Sequence, residues 1–436
     1  MARASTRSRP GCRRSDPALK PTKALIAHAS EALSEALRFS GPADQAVSRH
    51  FRNHRELGQQ ERAFVAETVF AALRRRRSLA AAAQSESPYS LVLAALVRVQ
   101  GLSVRAVGDA VREKDLPLLE RALAFHIDEQ SAAVQADLPD WLWERLVVQY
   151  GGGEARAIAQ GLLGAAPMDL RANAVKASRE VAIAALRSAG LECEPTPYSP
   201  VGIRLTDKTA INKQPVFLDG RVEVQDEGSQ LLAAIVAPRR GEMVVDFCAG
   251  GGGKTLALGA LMRNTGRLYA FDVSAKRLAG LDPRLARSGL SNVHPIAIAN
   301  ENDLRAKRLA GKIDRVLVDA PCSGFGTLRR NPDLKWRFGE KDVAELVDKQ
   351  SRILAAAARL PRVGGRLMFA TCSVLKEEGE EIAAKFIASH PAYAQVSCAE
   401  ILRSHGIALD TGPTLRLFPH LHRTDGFFAA AFERKG

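Results

Sequence analysis

The second half of this chain alternates short apolar runs with longer amphipathic ones, and few folds accept that pattern. After Gly241 the runs "MVVDF", "RLYAFD", "VHPIAI", "DRVLVDA" and "GRLMFAT" read as buried strands. Between them, "TLALGALM", "AKRLAGLDPRLARS" and "DKQSRILAAAARL" place apolar residues at helical spacing. A strand covered by helices on both faces is apolar throughout, so the pattern predicts a parallel, doubly wound α/β sheet. Such sheets bind ligands outside the carboxyl ends of their strands. The unusual residues of this segment fall there: Asp246, Asp272, Asn300, Asp319 to Gly324, and Thr371-Cys372-Ser373.

The first of these strands runs into "CAGGGGKT", residues 248–255. A phosphate-binding loop, G-x-x-x-x-G-K-[ST], needs glycine where the chain has Cys248. A dinucleotide loop, G-x-G-x-x-G, needs its third glycine where the chain has Thr255 or Leu256. Cys248, Ala249, Gly250, Gly251, Gly252, Gly253 and Lys254 are therefore expected to cradle a ligand without a P-loop's grip on phosphate. Asp272 closes the second strand, where a carboxylate accepts hydrogen bonds from a ribose; it would equally serve as the negative charge ahead of the next helix. A nucleoside ligand with no phosphate fits S-adenosylmethionine. "RVLVD" taken alone would also suit the magnesium-binding strand of an ATPase, which Cys248 argues against.

Two cysteines end strands of the same sheet, Cys322 in "DAPCSGFGTLRRNPDLKWR" and Cys372 in "ATCS". A single buried cysteine is usually only a small hydrophobe. Two on one crevice, each followed by serine and beside a nucleoside site, point to nucleophilic chemistry. Arg329, Arg330, Lys335 and Arg337, with Trp336, are expected to grip a nucleic-acid backbone and stack a base.

Together "DFCAGGGGKT", "DAPCSGFGTLRRNPDLKWR", "ATCSVLKEEGEE" and the closing "DGFFAAAF" resemble the motifs of the Nop/Sun family of RNA cytosine-C5 methyltransferases, its bacterial 16S rRNA branch most of all. The resemblance covers about residues 220–436 and extends more weakly to the N-terminus. It implies a Rossmann-like methyltransferase domain over 231–436, an all-helical NusB-like RNA-binding domain over 21–137, and a small α+β, RRM-like connecting domain over 138–230. It implies S-adenosylmethionine as methyl donor, Cys372 as the nucleophile that adds to C6 of the cytosine, and Cys322 as the helper in product release. Asp319 stands where a carboxylate can hold the N3/N4 edge of the base. The loop departs from the family's CAAPGGKT by Gly250 and Gly251. The family's aspartate after the third strand is here Asn300, with Asn302 and Asp303 as rivals for the adenine contact. Transfer RNA as substrate, or a non-catalytic RNA-binding assembly factor, are the competing readings.

The first half carries no catalytic constellation. "TKALIAHASEALSEAL" and "ERAFVAETVFAALRRRRSLAAAA" read as helices, the second with Arg74 to Arg77 toward its end. The chain's 62 Lys+Arg against 48 Asp+Glu, a net charge of +14, suit a polyanionic partner such as RNA. Its six cysteines form no C-x-x-C pair and no Cys/His cluster has zinc spacing, so no metal is expected and a reduced, cytoplasmic setting is. Residues 1–20, rich in arginine and without an apolar run, are expected to be a disordered basic tail. No membrane span is expected, and the protein is expected to act as a monomer.

Overall fold

The computed structural model describes residues 19–207 and 210–436. The basic stretch expected as a tail lies, apart from its last two residues, outside them. The chain divides between Asp137 and Leu138 into two compact units. No helix among the described residues is long and apolar enough to cross a membrane.

The first unit is helical throughout. Helix Lys23–Ala36 starts where the Thr22 side chain accepts from the Leu25 amide, and it buries Leu25, Ile26, Ala29 and Leu33. Helix Pro88–Arg98 is capped by Ser87, and every residue from Ser90 to Val97 is buried, which marks it as the central helix. The run "ERAFVAETVFAALRRRRSLAAAA" forms two helices, Gln59–Arg74 and Arg76–Ala83, broken at Arg75. The break leaves the Ser78 amide and hydroxyl free to donate to the buried Asp137 carboxylate, at 2.9 and 2.7 Å. The arginine run straddles this break half-buried, with Arg76 paired to Glu86 at 3.1 Å.

The second unit opens with helices Asp140–Tyr150 and Gly152–Leu163, followed by a small antiparallel sheet. Its strands are β1 (Met168–Ala172), β2 (Cys193–Pro195), β3 (Gly202–Leu205) and β4 (Val222–Val224), in the order β2-β3-β1-β4. Helix Arg179–Ser188 lays Ala182, Ile183 and Leu186 on the same small core. Within "VFLDGRVEVQ", Pro215 just ahead starts a helical turn through Leu218, and only Val222–Val224 is strand.

The large sheet contains β5 (Met243–Asp246), β6 (Arg267–Asp272), β7 (Val293–Ala297), β8 (Ile313–Asp319) and β9 (Pro361–Thr371). It is completed by β10 (Tyr393–Val396), β11 (Leu415–Leu417) and β12 (Phe427–Arg434). The order is β10-β12-β9-β8-β5-β6-β7, with β11 on β12. The five strands expected from sequence pair in parallel, and β12 runs antiparallel between β9 and β10. From β5 the chain winds outward through β6 and β7, then returns to the other side of β5 as β8. That reversal opens a crevice at the carboxyl ends of β5 and β8. "AKRLAGLDPRLARS" is two short helices, Ala275–Ala279 and Asp282–Ser288, because Pro283 lacks an amide donor and restarts the helix.

Candidate active site

The glycine loop leaves β5 at Asp246 and enters helix Gly253–Leu261. Asp246 is buried and accepts from the Thr255 hydroxyl at 2.7 Å; burial pushes its carboxyl up to about 7. Gly252 has φ +81°, and a Cβ there would lie 2.1 Å from Leu281 Cδ1, so only glycine fits. The neighbouring glycines are tied down. Gly250 N donates to Asp272 Oδ2 at 2.8 Å, and Arg284 donates to the Gly251 carbonyl. Arg284 itself leans on Glu223 of the small sheet at 3.3 Å. Where the family's usual loop has Ala and Pro, hydrogen bonds hold this one.

Asp272 stands where both roles open in the sequence can be met. One oxygen accepts from Ser274 N at 2.7 Å ahead of the next helix, and its carboxylate also lines a cavity of about 380 Å³. Phe247, Val273 and Ile298 supply apolar wall to that cavity; Asp319, Cys322 and Cys372 line it as well. Of the glycine loop only Cys248 lines the cavity; its apolar walls suit a purine and the Asp272 carboxylate a ribose, a fit to S-adenosylmethionine in chemistry and size. Asn300 is exposed and its side-chain oxygen accepts from Asn302 N at 2.8 Å, while Glu301 lines the cavity in its place. Asp303 is occupied by the Ala299 amide and by Arg305.

Cys248 also lines the cavity, but burial and then the carboxylates of Asp246, Asp319 and Asp272 push its thiol well up, so it stays neutral. Lys254 Nζ donates to Asp319 Oδ2 at 2.7 Å, which raises the lysine's pKa against the pull of burial and fixes both at the mouth of the crevice. Cys322 Sγ and Cys372 Sγ lie 3.4 Å apart. The hydrogen bond to Cys372 and then burial push the Cys322 thiol well up, which favours its protonated form.

What holds the two sulfurs together was not singled out from sequence. Glu378, fully buried, accepts from Ser323 N at 2.8 Å, Gln350 Nε2 at 3.0 Å, Ser373 Oγ at 2.6 Å and the Ser323 hydroxyl. Ser323 and Ser373 each follow one of the cysteines, so one carboxylate clamps both cysteine turns. The Thr371 hydroxyl donates to the Glu378 carbonyl at 2.9 Å, and Arg416 donates to the Ser373 carbonyl at 2.7 Å. Behind the clamp, Tyr150 donates to the Val374 carbonyl at 2.7 Å, and Gln149 accepts from Lys376 N at 2.9 Å. The closing "DGFF" enters here too. Gly426 N donates to the Gly326 carbonyl at 2.8 Å, an approach so close that a Cβ on Gly326 would meet that backbone at 2.0 Å.

The basic tail after Cys322 does not form the expected grip. Arg329, with 5% of its side chain exposed, pairs with Asp425 at 3.1 Å; Arg330 bridges Asp425 and Asp226 at 2.7 and 3.0 Å. Lys335 is buried and Arg337 pairs with Asp333 at 3.2 Å. The three arginines are thus engaged with buried carboxylates inside the fold rather than presented to phosphates.

The chain matches the family model for 16S rRNA methyltransferase RsmB/F over residues 233–433, and that for the RsmF/B-like ferredoxin-like domain over 138–212. It is 34% identical over 308 residues to the probable ribosomal RNA small subunit methyltransferase B of Synechocystis sp., covering 70% of this chain and 68% of that protein. The probable ribosomal RNA small subunit methyltransferase B of Bacillus subtilis is 32% identical over 311 residues, with the same coverage of 70% and 68%. The crystal structure of PH0851 superposes with a TM-score of 0.77 at 26% identity, over 96% of this chain and 100% of that one.

Proposed function

We propose, for a chain that belongs to the RsmB/F family of 16S rRNA methyltransferases, that it methylates C5 of a cytosine in 16S rRNA through a covalent bond between Cys372 and C6 of the base. The observation that carries this reading is the pair of thiols 3.4 Å apart, sharing one cavity with Asp272 and Asp319. S-adenosylmethionine, held by Cys248 to Lys254 and by Asp272, supplies an electrophilic methyl group when bound.

C5 of cytosine is a poor nucleophile. Addition of the Cys372 sulfur to C6 moves the C5=C6 π electrons onto C5, which makes that carbon able to attack. Asp319, anchored by Lys254, holds the N3/N4 edge of the ring in the polarised form this needs. Once C5 carries the methyl group its proton passes to water, the C5–H electron pair re-forms the C5=C6 double bond, and the S–C6 bond breaks with its electron pair leaving on sulfur. Cys322, within hydrogen-bond reach of the departing sulfur, assists that last step. The base must be unstacked to reach the sulfurs, which costs a few kcal/mol and is easiest in a loop or single strand of RNA. Among the described residues Cys193, Cys248, Cys322, Cys372 and Cys398 are free thiols, which suits work in the reducing cytoplasm. The helical unit, with its half-buried arginine run, serves in this reading as the second RNA contact.

The two cysteines give the test. With substrate RNA and S-adenosylmethionine on a denaturing gel, Cys322→Ala should show a slow-migrating protein–RNA band, because the adduct forms and is not released. Cys372→Ala should show neither band nor methyl transfer. The opposite pattern reverses the roles, and activity in both variants without any adduct overturns the covalent mechanism.

A further inference from the structure

The first two helices of the helical unit bring three histidines and a carboxylate together. His28 and Glu31 lie three residues apart on helix Lys23–Ala36; His50 lies on helix Ala43–Asn53 and His54 closes that helix four residues later. Residues three or four apart share one helix face, so each pair points the same way. One donor atom from each of the four lies within 4.8 Å of the other three. The imidazole rings crowd, with centroids 4.3, 4.7 and 5.4 Å apart.

The cluster is not explained by its own hydrogen bonds. His50 is only 4% exposed, and its Nε2 has no hydrogen-bond partner; neither has the buried His28 Nδ1. A buried ring nitrogen without a partner is costly, and here two occur side by side. His54 is held by Glu56, whose carboxylate lies 2.9 Å from its Nδ1 and leaves Nε2 for a ligand. A carboxylate behind a ligating imidazole is the usual support of a metal-bound histidine.

We propose that His28, Glu31, His50 and His54 form a binding site for a divalent transition metal of the zinc class, which clamps the first two helices of the chain. Three imidazoles and one carboxylate are borderline donors that suit zinc, nickel or cobalt(II) and disfavour magnesium or calcium. Bonds of about 2.0–2.1 Å put tetrahedral donors roughly 3.4 Å apart, so small side-chain rotations close the present spacing. The sequence did not reveal the site because its ligands come from two helices and include no cysteine.

The test uses the untagged full-length chain, stripped with a chelator and titrated with zinc chloride. One equivalent should bind per chain and raise the unfolding temperature of the helical unit, and the chelator should reverse the shift. Cobalt(II) in place of zinc should give the visible absorption of a tetrahedral site. Glu31→Gln and His54→Gln, neither fully buried, should bind zinc on the order of 10- to 100-fold more weakly while keeping the parent's helical circular dichroism. His50→Gln should lose the cobalt spectrum altogether. The proposal fails if the stripped chain takes up less than a stoichiometric amount at micromolar zinc. It fails equally if Glu31→Gln and His54→Gln bind zinc as the parent does, which would assign the uptake to scattered surface histidines.

Discussion

Replacing Glu378 with glutamine should slow methyl transfer while leaving cofactor affinity close to that of the parent. Glutamine keeps one acceptor oxygen for Ser323 N and Gln350 Nε2, the two donors that cannot turn round. It places an amide where the carboxylate accepts from the hydroxyls of Ser323 and Ser373, so both hydroxyls must rotate and accept instead. Exchanging two hydrogen bonds to a carboxylate, about 1.5–3 kcal/mol each, for two neutral ones of about 1 kcal/mol costs roughly 1–4 kcal/mol in all. The loss falls on the two turns that carry Cys322 and Cys372, whose sulfurs must stand 3.4 Å apart. Each 1.36 kcal/mol that reaches the barrier is tenfold in rate, so kcat should fall about 10- to 100-fold. Misplacing a catalytic group by about 1 Å has an effect of the same order.

Single-turnover methyl transfer with enzyme in excess reads this directly. On a Cys322→Ala background the same substitution should slow appearance of the covalent band, since the clamp acts before release. S-adenosylmethionine affinity should stay within about threefold, because no residue of the clamp touches the Gly250–Asp272 side of the cavity. A rate within twofold of the parent would refute the reasoning. So would a fall in cofactor affinity equal to the fall in rate, which would make Glu378 a general support of the fold.

Asp272→Ala should weaken S-adenosylmethionine binding by about 1.5–3 kcal/mol, or roughly 10- to 150-fold, in a calorimetric titration; unchanged affinity would remove Asp272 from the ribose site. The raised pKa of Asp246 has a definite sign. Its folded value of about 7 lies above the ordinary carboxylate value, so the folded state holds the proton more tightly, and stability falls as pH rises from about 4 to 7. Three units correspond to about 4 kcal/mol, and Asp246→Asn should lose this decline in unfolding temperature across a pH series without ligand. Deleting residues 21–128 should weaken RNA binding and flatten its dependence on salt while cofactor affinity holds, if the helical unit contacts phosphates. An unchanged salt slope would leave that unit as scaffold.

The parallel sheet and its site loops were legible because their signals are local. An apolar strand followed by Asp, Gly or Cys states within ten residues both the element and what stands at its end, as at Asp246, Asp319 and Cys372. Readings that failed depended on partners distant in sequence. Arg329 and Arg330 looked like a phosphate grip until the fold brought Asp425 and Asp226 onto them, 96 and 104 residues away. The run Arg74 to Arg77 looked like the end of one helix, but Asp137, 59 residues beyond Ser78, draws the chain into a second one. Glu378 stood in plain view in "ATCSVLKEEGEE", yet nothing local separates it from Glu377, Glu380 and Glu381. Only the return of Ser323 and Gln350 to the same point shows which carboxylate faces inward.

The clamp also bears on why one of two adjacent cysteines can attack while the other waits. Both sulfurs lie in one cavity, so distance to the base does not distinguish them. Their surroundings do. The Cys322 thiol is held up by its hydrogen bond to Cys372, by burial, and by the charges of Cys372, Glu378 and Asp319. A negative charge on Cys322 beside these carboxylates is costly, so Cys322 favours its protonated form. Glu378 therefore has two effects from one position: it fixes the spacing of the two turns through Ser323 and Ser373, and its field disfavours ionisation of Cys322. When the bond between Cys372 and C6 breaks, the sulfur that departs carries negative charge and meets the Cys322 S–H at once. In the proposed reaction the protonated Cys322, 3.4 Å away, is thus the group placed to receive the Cys372 sulfur on release.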